Sequence, residues 1–509
     1  MIIRPAEYLE NGMPTAKMLQ SVMLEFIYEQ ERLRSLKAYY DGNSPIMQRQ
    51  RTKGLPNNRI AHPIARYIAN TTSGYLVGNP VSYSTAEENG TLDELLTNFK
   101  RINVSSVDAE NARNAAIYGR GVEYIYVASD GNVSISALDP QQAFVVYDDT
   151  HESNPLFGVY FIPRLDEEGA ADGFNAWIMG ADFIRQVIAT DASFSAVTDV
   201  AITQHYFGGV PLVEYWNGED EKGDFECVIP LIDAYDKLES DRVNDKEQFV
   251  DALLVLTGCT LDVDEQGRTP GQQLREDKAL SLPDNQASAQ YLTNSLHESD
   301  IDILRKAINS DIHKYAMVPD LSDENFAANA SGVAMKYKLL GLEYLTGIKE
   351  QWFREGLRTR LKLLLHYMSI QGLAELDVND IEITMTRSMP SNMQETAQIA
   401  QTIKAAGAGS TETLVKLLHS DWSQEAVDGE VEKIDSESEQ VFNHRASLYQ
   451  EKALSKADMR AFIMGETPEE AQKAIDELKA SGEADDQMDV LLNSLEAATT
   501  QELPQEGEE

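Results

Sequence analysis

One stretch constrains this chain more than any other: residues 331–372, SGVAMKYKLLGLEYLTGIKEQWFREGLRTRLKLLLHYMSIQG. Its apolar residues Val333, Tyr337, Leu340, Tyr344, Ile348, Trp352, Leu357, Leu361, Leu364 and Met368 recur at helical spacing, which predicts one continuous stripe. No proline interrupts the stretch, and Gly372 supplies a C-terminal stop. A helix over the whole of it would run about 60 Å at roughly 1.5 Å per residue, so it needs a large subunit or copies of itself to cover it. The polar positions are basic: Lys336, Lys338, Lys349, Arg354, Arg358, Arg360 and Lys362 stand against Glu343, Glu350 and Glu355. Either these bases form local pairs such as Glu350–Arg354 on a solvated face, or the face meets acidic neighbours.

That basic run is an anomaly in a chain of net charge −41, with 84 acidic and 43 basic residues among 509. The acidic excess argues against a protein that grips duplex DNA, which needs clustered Lys and Arg to displace counterions. It leaves room for one that lets DNA pass. Cys227 and Cys259 form no metal or redox spacing, and a reducing compartment follows. The N-terminus MIIRPAEYLENG is not a signal peptide, and no apolar run reaches membrane-spanning length, which predicts a soluble chain without membrane contact.

Residues 15–40 read as a helix stopped by Gly42, with Met18, Val22, Phe26, Glu29, Leu33, Leu36 and Tyr40 near one face. A polar, turn-rich segment with Arg49, Arg51 and Lys53 follows, and then a helix face made by Ile60, Ile64 and Ile68. After helices at about 91–101 and 105–119 the period changes to two. The hairpin around Ser129-Asp130-Gly131-Asn132 and strands at 143–148, 156–162, 174–179, 183–189, 201–207 and 212–216 predict a meandering sheet. The fold class is therefore α+β.

At Pro230 a helix begins with proline in its first turn; residues 230–254 hold seven acids and three bases. Residues 255–297 read as a small β-containing excursion, and Ser299 with Asp302 predicts the start of a second helix, with Ile301, Leu304, Ile308, Ile312 and Tyr315 inward. The two helices make an antiparallel pair. Residues 319–331 read as a mobile acidic loop. One strand, 381–387, precedes helices at 396–406, 413–418, about 443–463 and 468–480. Residues 421–509 hold 24 acids and 7 bases, and the end of the chain should be disordered.

No phosphate loop, dinucleotide fingerprint, zinc-protease motif or nucleophile elbow is present. Histidines 62, 151, 205, 297, 313, 366, 419 and 444 show no metal-ligand spacing. Acid clusters such as Asp320–Asp323–Glu324 or Asp262–Asp264 could bind a divalent cation through oxygens, or be solvated loop acids. No catalytic, cofactor or metal site is assigned, and the chain is not expected to be an enzyme.

Three strings resemble the portal (head-to-tail connector) proteins of tailed bacteriophages of the SPP1 gp6-like family. They are YYDGNSPI (39–46) with NNRIAHPIARYIANTTSGYLVGNPVSY (57–83), LDPQQAFVVYDD (138–149), and ASGVAMKYKLLGLEYLTGIKEQWFREGLRTRL (330–361). The resemblance runs from about 20 to 420 and is weakest over the terminal 80 or so residues. It implies a multi-region portal fold: a mixed α/β wing (1–229), a two-helix stem (230–254 and 298–318), a small β-containing clip (255–297), a tunnel loop (319–331), a kinked long helix and wing strand (332–389), a helical crown (390–480) and an acidic tail (481–509). It further implies a dodecameric ring at the capsid vertex of the virion, assembled in the host cytoplasm. Through it double-stranded DNA would pass, with the major capsid and scaffolding proteins, the terminase large subunit and a head–tail adaptor as partners.

On that reading Asp320, Leu321, Ser322, Asp323, Glu324, Asn325 and Phe326 form the tunnel loop nearest DNA. Asp233, Glu239, Glu247, Lys306 and Lys314 are channel candidates on the stem, and Lys349, Arg354 and Arg358 meet the adjacent subunit. Two other readings stand beside it: a monomeric or differently oligomeric adaptor, and a metal-binding enzyme of unknown class.

Overall fold

The computed structural model describes residues 1–52, 55–86, 89–250, 253–257, 269, 288–292, 298–321, 337–373, 376–387, 393–419, 426–437, 456–464 and 467–481. Two units divide the chain, Met1–Pro390 and Ser391–Glu509.

In the first unit, strand β1 (Ile2–Ile3) and the small hairpin β2 (Leu9–Glu10) and β3 (Met13–Pro14) precede helix α1, Ala16–Asp41. Thr15 caps α1 by accepting from the Met18 amide at 3.2 Å, and Gly42 ends it in the left-handed region at φ 80°. Its buried face holds Met18, Leu19, Val22, Met23, Phe26, Gln30, Leu33, Leu36 and Tyr39, so Gln30 and Tyr39 take the inward places expected of Glu29 and Tyr40. Helix α2 (Ile64–Val77) begins only after Pro63, which favours extended backbone just before it; Ile60 therefore lies outside the helix. Strand β4 (Ser82–Ser84), helix α3 (Gly90–Ile102) and helix α4 (Val104–Tyr118) follow.

The period-two region folds as two sheets. Strands β5 (Arg120–Val127), β6 (Val133–Leu138) and β12 (Leu212–Trp216) form a three-stranded sheet in the order β12-β5-β6. Strands β7 (Ala143–Tyr147), β8 (Pro155–Leu165), β9 (Ala171–Met179), β10 (Phe183–Ala189) and β11 (Val197–Gln204) extend β1 into a six-stranded sheet, β1-β7-β8-β9-β10-β11. All five residues of β7, AFVVY, are buried because both faces are covered. One core joins α1, α2 and the large sheet through Phe26, Ile68, Phe144, Phe157 and Val159. A smaller one, with Val122, Val145, Met179 and Leu212, fills the space between the sheets.

Helix α5 (Ile229–Val250) leads into the antiparallel pair β13 (Leu253–Thr257) and β14 (Ser288–Leu292), and helix α6 (Glu298–Tyr315) returns from it. The expected excursion thus has its two strands; its loop residues, including Asp262, Asp264 and Cys259, lie outside the described residues. Helix α6 starts at Glu298, so Ser299 is inside it and does not cap it. Leu304 and Tyr315, expected inward, are 50% and 57% exposed.

Helix α7 runs unbroken over Leu340–Ile370, with a turn at Leu339 separating it from the helical residues Tyr337 and Lys338. Its C-terminal half packs on β12 so closely that a Cβ at Gly356 would meet the Tyr215 ring at 2.5 Å. Phe353, Leu357, Leu361 and Leu364 complete a core with Phe99, Val213 and Tyr215. Its N-terminal half departs from expectation: Leu340, Tyr344 and Ile348 are exposed, while Leu342, Thr346 and Lys349 are buried. Strand β15 (Glu382–Thr384) pairs with β4.

The second unit contains helices Met393–Ala405, Thr411–Leu418, Lys456–Met464 and Pro468–Ser481, with 426–437 also helical. Ser410 caps the second of these by accepting from Thr413 N at 3.2 Å. Of the helix expected near 443–463, residues 443–455 lie outside the described residues, as do 482–509.

Candidate functional site

Helices α5 and α6 run antiparallel: Cys227 Sγ, just before α5, meets Tyr315 O at 3.9 Å, and Glu239 Oε1 lies 3.8 Å from Arg305 Nε. Along α5 the polar residues Asp233, Asp236, Ser240, Asn244 and Glu247 fall at steps of three and four, which places them on one face. That face is covered by residues 39–62 of the same chain. Tyr39 OH donates to Asp233 Oδ1 at 2.9 Å and Ser44 OH to Asp236 Oδ2 at 2.7 Å. The His62 amide donates to Asp236 Oδ1 at 2.9 Å, and the Ile60 amide to Ser240 Oγ at 3.0 Å. Arg49 and Arg51 converge on Asp241. Asn58 donates from its backbone to Asn244 Oδ1 at 2.6 Å and from its side chain to Glu247 Oε2 at 2.7 Å. Burial pushes the Asp233 carboxyl up, and burial together with the Asp233 hydrogen bond pushes the Tyr39 phenol up.

The channel candidates therefore divide. Asp233 is half-buried against Tyr39, and Glu239 is held between Arg242 at 3.7 Å and Arg305; neither is a free wall charge. Glu247 is exposed at the rim of the ridge. Lys306 is exposed and paired with Asp302 at 2.8 Å, and Lys314 is exposed with its Nζ 5.5 Å from the Tyr315 ring centre.

The segment entering the expected tunnel loop is anchored. Tyr67 OH donates to Pro319 O at 2.6 Å and accepts from the Leu321 amide at 3.0 Å. Asn309 Nδ2 donates to Asp320 Oδ2 at 3.2 Å, and His313 Nδ1 lies 3.0 Å from Val318 O. Asp320 thus sits half-buried at the base of the loop, tied to α6, and Leu321 is exposed beside it. Ser322, Asp323, Glu324, Asn325 and Phe326 lie outside the described residues.

Of the basic residues expected on the outward face of the long helix, Lys349 and Arg360 turn inward, while Lys338, Arg358 and Lys362 are exposed. Lys349 is 2% exposed and its Nζ pairs with Asp224, whose other oxygen accepts from Asn217 Nδ2 at 2.8 Å. Thr72 also donates to Asp224. Arg360 is fully buried: its Nε donates to Glu123 Oε1 at 2.8 Å and its Nη2 reaches Asp108 and Glu123. Asn111 Nδ2 at 2.8 Å and Tyr215 OH at 3.1 Å complete the Glu123 cluster. Burial pushes the Glu123 carboxyl up, against the pull of the Arg360 charge. Arg354 makes the local pair with Glu350, and Arg358 pairs with Glu355 at 3.2 Å. Arg387, beyond β15, joins Glu350 at 2.7 Å and Glu343 at 3.3 Å, tying the strand to the helix. Tyr75 donates to Glu343 at 2.8 Å, and burial first pushes its phenol up to about 12.

Reading α5 for charge missed its ridge. The signal was there: polar residues at one helical spacing on α5, and a polar segment rich in Arg and Asn with no other partner in the chain order. Among the described residues no group of three His, Cys, Asp or Glu side chains could hold a metal ion, and no helix is long and apolar enough to cross a membrane.

The family model described as phage portal protein, SPP1 Gp6-like, matches residues 25–443. The portal protein of Clostridium phage phiCD119 is 24% identical over 434 residues, covering 79% of this chain and 91% of that one. The portal protein of Bacillus phage SPP1 is 22% identical over 433 residues, covering 80% of each. A solved structure described as the neck of an empty GTA particle computed with C6 symmetry aligns with TM-score 0.41 and 13% identity, over 70% of this chain and 90% of that one.

Proposed function

Because the chain belongs to the SPP1 Gp6-like family of phage portal proteins, we propose that it forms a dodecameric ring at one capsid vertex. The ring is the channel through which DNA is packaged and later ejected, and the platform on which terminase and then the head–tail adaptor dock. It contacts the major capsid and scaffolding proteins during assembly in the host cytoplasm, does no chemistry itself, and takes its packaging energy from the terminase. The observation that carries this reading is the family match over residues 25–443.

In this reading α5 and α6 are the stem, β13 and β14 belong to the clip, the sheets and α7 form the wing, and the second unit is the crown. The α5 ridge supports a stem held rigid by its own chain, since segment 39–62 braces α5 over four turns. Of the five candidate side chains on the stem, those left to meet DNA are Glu247, Lys306 and Lys314. With acids outnumbering bases seven to three over residues 230–254, a duplex gains little counterion release on the wall and slides. The loop after Leu321 is the part that touches DNA. Tyr67 and Asn309 fix the residues at its base, Leu321 and Asp320.

Light scattering and negative-stain imaging of the purified protein test the ring: particles of about twelve times 56.7 kDa with an axial hole are expected. Material that stays at 56.7 kDa at high concentration would sink the reading in favour of a monomeric adaptor. Deleting 321–328 should leave rings intact and lower the DNA packaged per head. Loss of rings on that deletion would make the loop structural instead.

A further inference from the structure

The outward face of α7 changes character halfway along. From Tyr337, just before the turn at Leu339, through Leu340, Tyr344 and Ile348 it is apolar, with exposures of 74, 41, 65 and 57%. Continuing at the same helical steps it becomes Gln351, Glu355, Arg358 and Lys362, all exposed. The second half is what water selects on a helix surface; the first half is a contiguous apolar stripe, the mark of an interaction site. Among the described residues nothing covers it.

A second patch lies on α1. Leu24 and Tyr28 are four residues apart on one face, 47% and 80% exposed, and the face continues in Ser21 and Lys17 on one side and Glu31 and Ser35 on the other. Helix α2 packs against both α1 and α7. The two apolar patches therefore sit on two helices that both pack against α2.

We propose that these patches are the two sides of one contact between copies of this chain: Leu24 and Tyr28 of one copy seat in the stripe Tyr337–Leu340–Tyr344–Ile348 of the next. This rests on the ring reading above and names the surfaces that close the ring. Two different patches on one chain make a head-to-tail contact that closes by rotation, whereas either patch matched with itself would stop at a pair. The spacing fits. Side chains four apart on α1 form a ridge that enters the groove between residues three and four apart on α7. The two tyrosines of the stripe and the one on α1 bring large apolar area with little side-chain entropy to lose, as contact centres do. Lys349 and Arg360 have no part in it, since both are buried within the subunit.

Tyr28→Cys and Tyr344→Cys, in a background with Cys227→Ser and Cys259→Ser, place one thiol on each patch. With a short bismaleimide, the assembled double variant should give a ladder of covalent multimers and each single variant none. Cross-links that stay within one copy, or no cross-link in intact rings, would overturn the contact. In parallel, Tyr344→Asp and Leu24→Asp should each keep the wild-type circular dichroism spectrum and need about tenfold more protein to assemble. Rings that form as readily as wild type with both substitutions would sink this contact alone. Wild-type protein that never assembles would sink the ring reading instead. Rings held by a covering of the stripe by residues 391–509 of the same copy would show as insensitivity to Leu24→Asp with sensitivity to Tyr344→Asp.

Discussion

Helices α5 and α7 both carry more charge than a packed helix usually does, and they dispose of it differently. On α5 the polar groups are spread over a ridge and meet many partners from residues 39–62: Asp236, Ser240 and Asn244 are buried, while Asp233, Asp241 and Glu247 remain partly open to water. On α7 two cations, Lys349 and Arg360, enter closed acidic pockets eleven residues apart on the helix and exposed by 2% or less. The ridge is a distributed bond that can lose one member. The pockets are point fixtures that set the register of α7 on the body, because a shift by one turn would leave each cation and its acids buried without partners.

Three substitutions sharpen this contrast, and the largest effect belongs to Arg360. Arg360→Met strands Asp108 and Glu123 in the core and should destabilise the first unit by about 3–5 kcal/mol, read as the shift of a denaturant midpoint at unchanged slope. Adding Glu123→Gln and Asp108→Asn should recover much of the loss, because the stranded charges are then gone. No recovery would mean that Arg360 acts through packing on Tyr215, whose ring centre is 5.5 Å from its guanidinium carbon. Lys349→Met should cost less, about 2 kcal/mol, since Asn217 and Thr72 still donate to Asp224. On the ridge, Asp241→Asn removes the negative charge shared by Arg49 and Arg51 at a side chain 29% exposed, and about 1 kcal/mol is expected. A ridge substitution as costly as Arg360→Met would break the comparison.

The same two helices show what could be read without coordinates. The start of α5 follows from Pro230, and the inward positions of the C-terminal half of α7, Leu357, Leu361, Leu364 and Met368, follow from their spacing. The N-terminal half misleads because the apparent stripe is two. From Trp352 to Leu357 is a step of five residues, which turns about 140° around the axis at roughly 100° per residue. The apolar residues before that step share a different face from those after it. The true inner stripe is Leu342, Thr346, Lys349, Phe353, Leu357, and it hides behind a threonine and a lysine. A buried lysine is legible only once its acid is known, and Asp224 lies 125 positions earlier. The portal-type order of sheets, paired helices and long helix was carried by resemblance in three strings. The bracing of α5 by Tyr39, Ser44, Arg49 and Asn58 was not, since contacts across 186 to 194 residues leave no local period.

The smallest effect expected is one of pH, and it separates α5 from its own partner α6. Burial raises the Asp233 carboxyl on α5, so the folded chain takes up that proton more readily than the unfolded one. Its contribution is then greatest below the unfolded value of about 3.9 and declines as pH rises through the folded value. Asp302 on α6 goes the other way. The Lys306 hydrogen bond, with Arg305 adding, holds it below the usual range, so its contribution is present above about 3.9 and is lost as pH falls through the folded value. Acidification from neutral should therefore loosen the first turns of α6 while the start of α5 gains from losing the half-buried Asp233 charge. Amide exchange corrected for intrinsic rate reads this as faster exchange in 298–306 and slower exchange in 229–236. Asp302→Asn should abolish the first response and Asp233→Asn the second. Exchange that rises together in both segments would mean that the two helices open as one unit, and that the ridge does not hold α5 independently of its partner.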